Sequence, residues 1–212
     1  MNNVIQRTIT SLFLFGGLIV FLFYLPPIYF SIIITCAFIL ILFYEWPPLV
    51  RTTQLKLAIT FFYLCLPFYS LTSLIYFSSK LVFLLISLVA LFDTTAYIVG
   101  KLLGSHKIAP KISPGKSWEG LLGGFFAVFI IIAFSTCQQT NYFVIFLLAF
   151  TIAGLAFAGD LFESYLKRKA GIKHSSSLLP GHGGILDRID GLLPVSVLFF
   201  LLKKQLLILF CL

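Results

Sequence analysis

Between Ser164 and Asp190 the chain reads SYLKRKAGIKHSSSLLPGHGGILDRID, a charged insert in a sequence that is otherwise almost entirely apolar. It holds Lys167, Arg168, Lys169, Lys173, Arg188, His174, His182, a Gly183-Gly184 pair, Asp187 and Asp190. Together these are the inventory of a site for phosphate and metal. Asp187 and Asp190 share one face of any helix that begins near them, and hard oxygen donors at that spacing suit Mg²⁺, which takes its remaining ligands from water and substrate phosphates. The ordinary alternative makes Asp187 a helix cap and pairs Asp190 with Arg188 or a lysine. Arginine offers phosphate a planar two-pronged donor and lysine a point charge, so Lys167, Arg168, Lys173 and Arg188 are candidate substrate ligands. A solvated basic face beside anionic lipid is the competing reading. Gly183 and Gly184, with no side chains, let the backbone come close to phosphate oxygens. His182 is either a hydrogen-bond donor or proton carrier at phosphate, or a brace within its own loop.

Further carboxylates and cations lie upstream. Asp160 and Glu163 are three residues apart, just before Ser164, and either bind a second cation or hold Lys167 and Arg168 in place. Asp93 interrupts an apolar run. A carboxylate in a membrane span costs about 2.5–3.5 kcal/mol on insertion scales, so Asp93 is expected to face a polar cavity or a partner. Gly115-Lys116-Ser117 ends like a phosphate-binding P-loop, but the first glycine is missing and no strand is expected in a helix bundle, so a P-loop is rejected. Lys116 stands as a candidate phosphate contact and Trp118 as an interfacial anchor.

The elements that must carry these residues are membrane helices. Of the 212 residues 60% are hydrophobic and 10% charged, and mean hydropathy is +1.07. This composition excludes a soluble globular domain. Apolar runs predict an all-α, polytopic transmembrane bundle of about seven spans, near 8–25, 28–44, 57–77, 81–103, 118–134, 142–162 and 192–212, the last interrupted by Lys203 and Lys204. Pro26-Pro27 and Pro47-Pro48 are expected in loops and Pro67 at a kink. The first run, with no small-residue cleavage site, is read as a retained anchor. The net charge of +8 follows the positive-inside rule and argues for membrane topology, not nucleic-acid binding. It places the charged insert on the cytoplasmic side. Gly100/Gly104 and Gly120/Gly124 have the four-residue spacing of close helix packing. Four scattered cysteines lack metal-ligand spacing and read as apolar fillers. Residues 1–92 are expected to be scaffold and 93–212 a catalytic region.

Seen whole, the insert resembles the signature of the CDP-diacylglycerol synthase (phosphatidate cytidylyltransferase) family. Ser164, Lys167, Arg168, Lys173, Ser176, Leu179-Pro180, His182-Gly183-Gly184, Asp187-Arg188 and Asp190 fall in step with it. The block from Asp93 to Gly124, with Lys116 in Ser113-Pro114-Gly115-Lys116-Ser117-Trp118-Glu119-Gly120, resembles the same family, as does the island Gly159 to Ser164. Lys169 lies outside the pattern and is assigned to the basic face. The resemblance implies attack by the phosphate of phosphatidic acid on the α-phosphorus of CTP, giving CDP-diacylglycerol and pyrophosphate. Mg²⁺ is the expected cofactor, with a second cation left open. Asp187, Asp190, Lys173 and His182 are then the expected catalytic residues, and Lys116, Ser164, Lys167, Arg168, Gly183, Gly184 and Arg188 bind substrate. Asp160, Asp187 and Asp190 are the expected metal ligands. Where the family has Asp after the second lysine this chain has His174, a poorer ligand for Mg²⁺. Compensation by another carboxylate such as Asp160, a changed metal preference and lost catalysis are the three outcomes, and retained activity is the expectation. The expected setting is the bacterial inner membrane with the site facing the cytoplasm, and a homodimer is left open. A CTP-dependent lipid-alcohol kinase, a transporter and a non-catalytic lipid-binding relative are the alternatives.

Overall fold

The computed structural model describes residues 16–51, 55–136, 141–172, 175–176 and 183–212. Lys173, His174 and His182 lie outside the described residues, as do Leu179, Pro180 and Cys137. Residues 16–24 are helical. Five helices that follow are long and apolar enough to cross a membrane: α1 Pro27–Val50, α2 Lys56–Phe77, α3 Ser79–Leu102, α4 Trp118–Ser135 and α5 Tyr142–Lys169. Between α3 and α4 a hairpin of β1 (Lys107–Ala109) and β2 (Ser113–Ser117) pairs antiparallel. After the charged loop come α6 (Leu186–Ile189), α7 (Leu192–Leu201) and α8 (Lys203–Phe210).

The predicted helical bundle is therefore present; the first predicted run, 8–25, lies partly outside the described residues, and seven spans are not reached among the residues described. Residues 192–212 do not form one straight span, because α7 and α8 meet at 85°. At 1.5 Å per residue, α7 is only about 15 Å long, roughly half the hydrocarbon thickness. The described residues thus contain five spans, or six if the bent pair is one. Lys203, at the bend, lies 4.3 Å from the Phe200 ring centre and 5.1 Å from that of Phe77. Its charge is thus held at the end of α2 opposite the charged loop. The hairpin is a second departure, since no strand was expected. Gly115-Lys116-Ser117 lies within β2 and leads directly into α4.

Two prolines expected in loops lie inside α1. Pro47 and Pro48 have no N–H to give the carbonyls four residues back. Just before them, Ile41–Glu45 forms a π turn in which the Trp46 N–H bonds Ile41 O. In α2 the π turn Phe61–Cys65 likewise precedes Pro67, with the Leu66 N–H bonded to Phe61 O. Each π turn re-aims the side chains beyond it without breaking the helix, a feature that recurs at functional sites.

Caps set the remaining boundaries. Ser78, Ser117 and Asn141 accept the first free N–H groups of α3, α4 and α5 from Leu81, Gly120 and Phe143. Lipid gives helices no hydrophobic reason to associate, so close contact falls to small residues. A Cβ added to Gly120 would lie 2.6 Å from Ala96 O, and one on Gly124 2.6 Å from the Phe92 ring. The glycine pairs serve packing, as their spacing predicts. Helix α7 threads between α2, α3 and α5, burying Leu193, Val195, Ser196 and Phe199.

Candidate active site

Helix α5 continues two turns past the expected end of its span and carries Asp160, Glu163, Ser164, Lys167 and Arg168 on one continuous helix. The i, i+4 spacing stacks these side chains along one face. Lys167 sits at the centre of the resulting cluster. Its Nζ is 2.6 Å from Glu163 Oε2 and 2.8 Å from Asp187 Oδ1. The helices on either side of the charged loop, α5 and α6, are thereby joined through one ammonium group.

Asp187 also accepts the Gly184 N–H at its other oxygen, 3.1 Å away. The N-cap of α6 is Ile185 and carries no side-chain cap, so Asp187 lies inside the helix and braces the residue before the cap; it is not the helix cap itself. Burial alone would raise its pKa. Hydrogen bonding by its neighbours, Lys167 and the Gly184 N–H among them, outweighs burial and holds Asp187 at about 2. Asp190 behaves oppositely: burial, then the charge of Asp160, pushes it up to about 7. Its Oδ1 accepts the Gly191 N–H at 2.8 Å. Neither the Arg188 nor the lysine ion pair foreseen for Asp190 forms among the described residues.

Glu163 is completely buried, and its Oε1 has no hydrogen-bond partner among the described residues. An unpaired buried carboxylate oxygen is expensive unless something else satisfies it. Among the described residues no three histidine, cysteine or carboxylate side chains converge closely enough to hold a metal ion. The donor chemistry nevertheless fits a hard cation: Glu163, Asp187, Asp190 and Asp160 all present oxygen, and one of those oxygens is unused.

Asp160 joins this cluster to a cavity of about 600 Å³ between α3, α4, α5 and the hairpin. Lys116 Nζ from β2 is 2.5 Å from Asp160 Oδ2 and 4.5 Å from the Phe157 ring centre. Ser164 Oγ donates to the other oxygen of Asp160 at 3.3 Å. Lys101, Lys107 and Lys116 supply positive charge to the cavity wall, Phe92 and Phe157 supply apolar surface, and Asp93 lines it as its position in a span demanded. Arg168 lies outside this ring; its Nε donates to Ile112 O at 3.2 Å, tying α5 to the hairpin turn. Glu119 holds the other side of the hairpin by accepting from the His106 N–H and pairing with its Nδ1 at 2.7 Å. Arg188 is exposed on α6.

Of the residues foreseen from sequence, Lys116, Asp160, Ser164, Lys167, Asp187 and Asp190 are brought to this end of the bundle. Gly183 has φ +81°, which glycine adopts without strain. Gly184 has an intramolecular role as well: a Cβ there would collide with Ser175 Oγ and the Glu45 carboxylate.

Glu45 is the residue the sequence reading missed. It lies in the part of the chain taken for scaffold, yet it is fully buried. It accepts the Ile185 and Leu186 N–H groups at 2.8 Å each, Ser176 Oγ at 2.7 Å and Ser175 Oγ at 3.4 Å. The available signal was the same one that singled out Asp93: a lone carboxylate at the end of an apolar run.

The chain is similar to known proteins over most of its length. Phosphatidate cytidylyltransferase of Rickettsia bellii is 34% identical over 215 residues, covering 94% of this chain and 91% of that protein. The enzyme of that name from Haemophilus influenzae is 45% identical over 115 residues, 51% of this chain and 40% of that protein. For Pseudomonas aeruginosa the figures are 47% over 104 residues, 47% and 38%. Residues 55–206, which include every member of the Lys167 cluster and its cavity, match the cytidylyltransferase family, and the chain belongs to that family.

Proposed function

We propose that the protein transfers the cytidylyl group of CTP to phosphatidic acid, releasing pyrophosphate and forming CDP-diacylglycerol. The observation that carries this reading is the junction at Asp160. It places a lysine-lined cavity, reaching into the bundle between α3, α4 and α5, against the Lys167–Glu163–Asp187 cluster. A lipid phosphate and a nucleotide must meet where one side is apolar and the other wet, and this end of the bundle offers both.

In the reaction a phosphate oxygen of phosphatidic acid forms a bond to the α-phosphorus of CTP as the bond to pyrophosphate breaks. Both reactants are anions, so alignment and positive charge supply most of what is needed. Lys116 is placed to exchange its bond with Asp160 for one to a phosphate oxygen. Lys167 keeps Asp187 ionised and fixed relative to α5. Arg188, Ser164 and the Gly183-Gly184 backbone complete the substrate contacts. Asp160, Asp187 and Asp190 are the groups that would hold Mg²⁺, with the free oxygen of Glu163 beside them. Bound there, Mg²⁺ would neutralise charge on the triphosphate. Lys173, His174 and His182 belong to this proposal on the resemblance alone. Turnover with His174 in place of the usual aspartate would be supported by compensation from these carboxylates.

The cytoplasmic face of a bacterial inner membrane is the proposed setting, supported by the basic residues at the charged end: Arg51, Lys56, Lys101, Lys107, Lys111, Lys116 and Lys167. The test uses purified protein, phosphatidic acid and CTP labelled at either the α or the γ phosphorus. Label from the α position in the lipid product supports the reading. Label from the γ position would make the protein a lipid kinase instead.

A further inference from the structure

We infer that Glu45 is a positioning residue for the reaction, holding the segment that carries Asp187 and Arg188 from the opposite half of the chain. The inference rests on the proposed cytidylyl transfer for its meaning and on geometry for its support. Glu45 lies outside residues 55–206, the part of the chain that matches the family.

Three features converge on this role. The first is saturation: both carboxylate oxygens of Glu45 are used, each by one backbone N–H and one serine hydroxyl. The two N–H groups belong to Ile185 and Leu186, at the start of α6, while the next N–H upstream, from Gly184, goes to Asp187 itself. A helix of one turn cannot satisfy its own first donors, so its position is set by whatever accepts them. Here the acceptor is a side chain 140 residues away in sequence, part of a packed span.

The second feature is the π turn. Glu45 closes Ile41–Glu45, and Trp46 beyond it stacks on Tyr63 with ring centres 5.8 Å apart. Tyr63 lies in the second π turn and donates its hydroxyl to Gly159 O at 3.1 Å, immediately before Asp160. Both departures from regular helix in the first half of the chain thus aim a polar group at the backbone beside a candidate catalytic carboxylate. The third is the absence of a side chain at Gly184, which lets the loop close onto Glu45 and Ser175.

A purely structural carboxylate would make the protein harder to fold but leave each folded molecule fully active. A positioning residue changes the turnover of folded molecules, since displacement by about 1 Å can cost roughly 100-fold. In Glu45→Gln one oxygen becomes an NH₂ group facing two donors. Turnover per folded, monodisperse molecule in detergent is then expected to fall at least about tenfold, with KM for CTP within about threefold of wild type. Glu45→Asp, which keeps the charge, should recover part of the loss. Amide hydrogen exchange should accelerate at residues 184–187 while the middle of α5 stays protected. If Glu45→Gln fails to fold, Ser176→Ala decides: it removes the hydroxyl that bonds Glu45 Oε1 and should lower turnover about threefold in the same direction, with the same faster exchange at residues 184–187. Unchanged turnover per folded molecule, or unchanged exchange at residues 184–187, would overturn the inference. An inactive wild type would count against cytidylyl transfer, and the exchange result alone would then decide whether Glu45 holds the loop.

Discussion

Two glutamates in this molecule are equally inaccessible to solvent and are treated in opposite ways. Around Glu45, four donors surround two oxygens and nothing is left over. Around Glu163, one oxygen meets Lys167 and the other meets no donor among the described residues. Burial costs both carboxylates their hydration, and only the first is fully repaid by fixed hydrogen bonds. A region built to hold a loop can be closed completely. A region that receives a charged ligand, as proposed for the Glu163 cluster, must keep acceptors free until that ligand arrives, at a cost in stability while the ligand is absent.

Removing the cation of the open region should have the largest effect. Lys167→Met leaves Glu163 and Asp187 facing each other without the ammonium group, and product formation should fall by at least about 1,000-fold. The same change should destabilise the fold by about 3–5 kcal/mol, the usual result of stripping one partner from a buried pair, read by thermal unfolding in detergent.

Glu163→Gln sharpens the contrast. The amide oxygen can still accept from Lys167 while the NH₂ group fills the place of the unused oxygen. Unfolding temperature should therefore hold or rise, while turnover drops about 100-fold.

Asp190 separates the two demands by pH. Its folded pKa of about 7 lies above the ordinary carboxylate value. The folded state therefore binds this proton more tightly than the unfolded chain, and its contribution to stability is lost as pH rises from about 4 to 7. Without divalent cation, Asp190→Asn should lack that decline and melt above wild type at pH 8, with no advantage at pH 4. Equal melting at both values would show that burial of the Asp190 carboxylate costs the fold nothing.

The smallest effect is expected from Tyr63→Phe, which deletes one hydrogen bond to Gly159 O and keeps the ring stack with Trp46. Stability should fall by about 1 kcal/mol and turnover by a few-fold.

The bundle was legible because lipid demands long apolar helices, and the runs that end near Phe77, Leu102 and Ser135 could be read almost to the residue. The last run was not. Its composition fits a span, while the 85° bend comes from packing α7 between three helices and α8 across their far ends. The hairpin escaped because its eleven residues are too short for periodicity to speak, and its pairing depends on Glu119 holding the Ser105–His106 corner. In the site, Lys167, Asp187 and Asp190 were visible through the fixed spacing of charged residues. Glu45 was invisible for a physical reason: half of its partners are main-chain N–H groups, which every sequence contains, and the contact joins positions 140 apart. The prolines at 47, 48 and 67 were noticed as breakers, but inside a packed helix a proline can be absorbed by a π turn, and that choice belongs to tertiary structure.

The open and closed carboxylates are compared most directly in Glu163→Gln and Glu45→Gln side by side, measuring CDP-diacylglycerol formed per folded molecule alongside unfolding temperature, with and without Mg²⁺. Glu163→Gln is expected to keep its unfolding temperature, lose turnover and lose stabilisation by Mg²⁺. Glu45→Gln should lower both unfolding temperature and turnover yet still respond to Mg²⁺. Full turnover in Glu163→Gln with an unchanged response to Mg²⁺ would contradict the claim that the unsatisfied carboxylate cluster is the reacting centre.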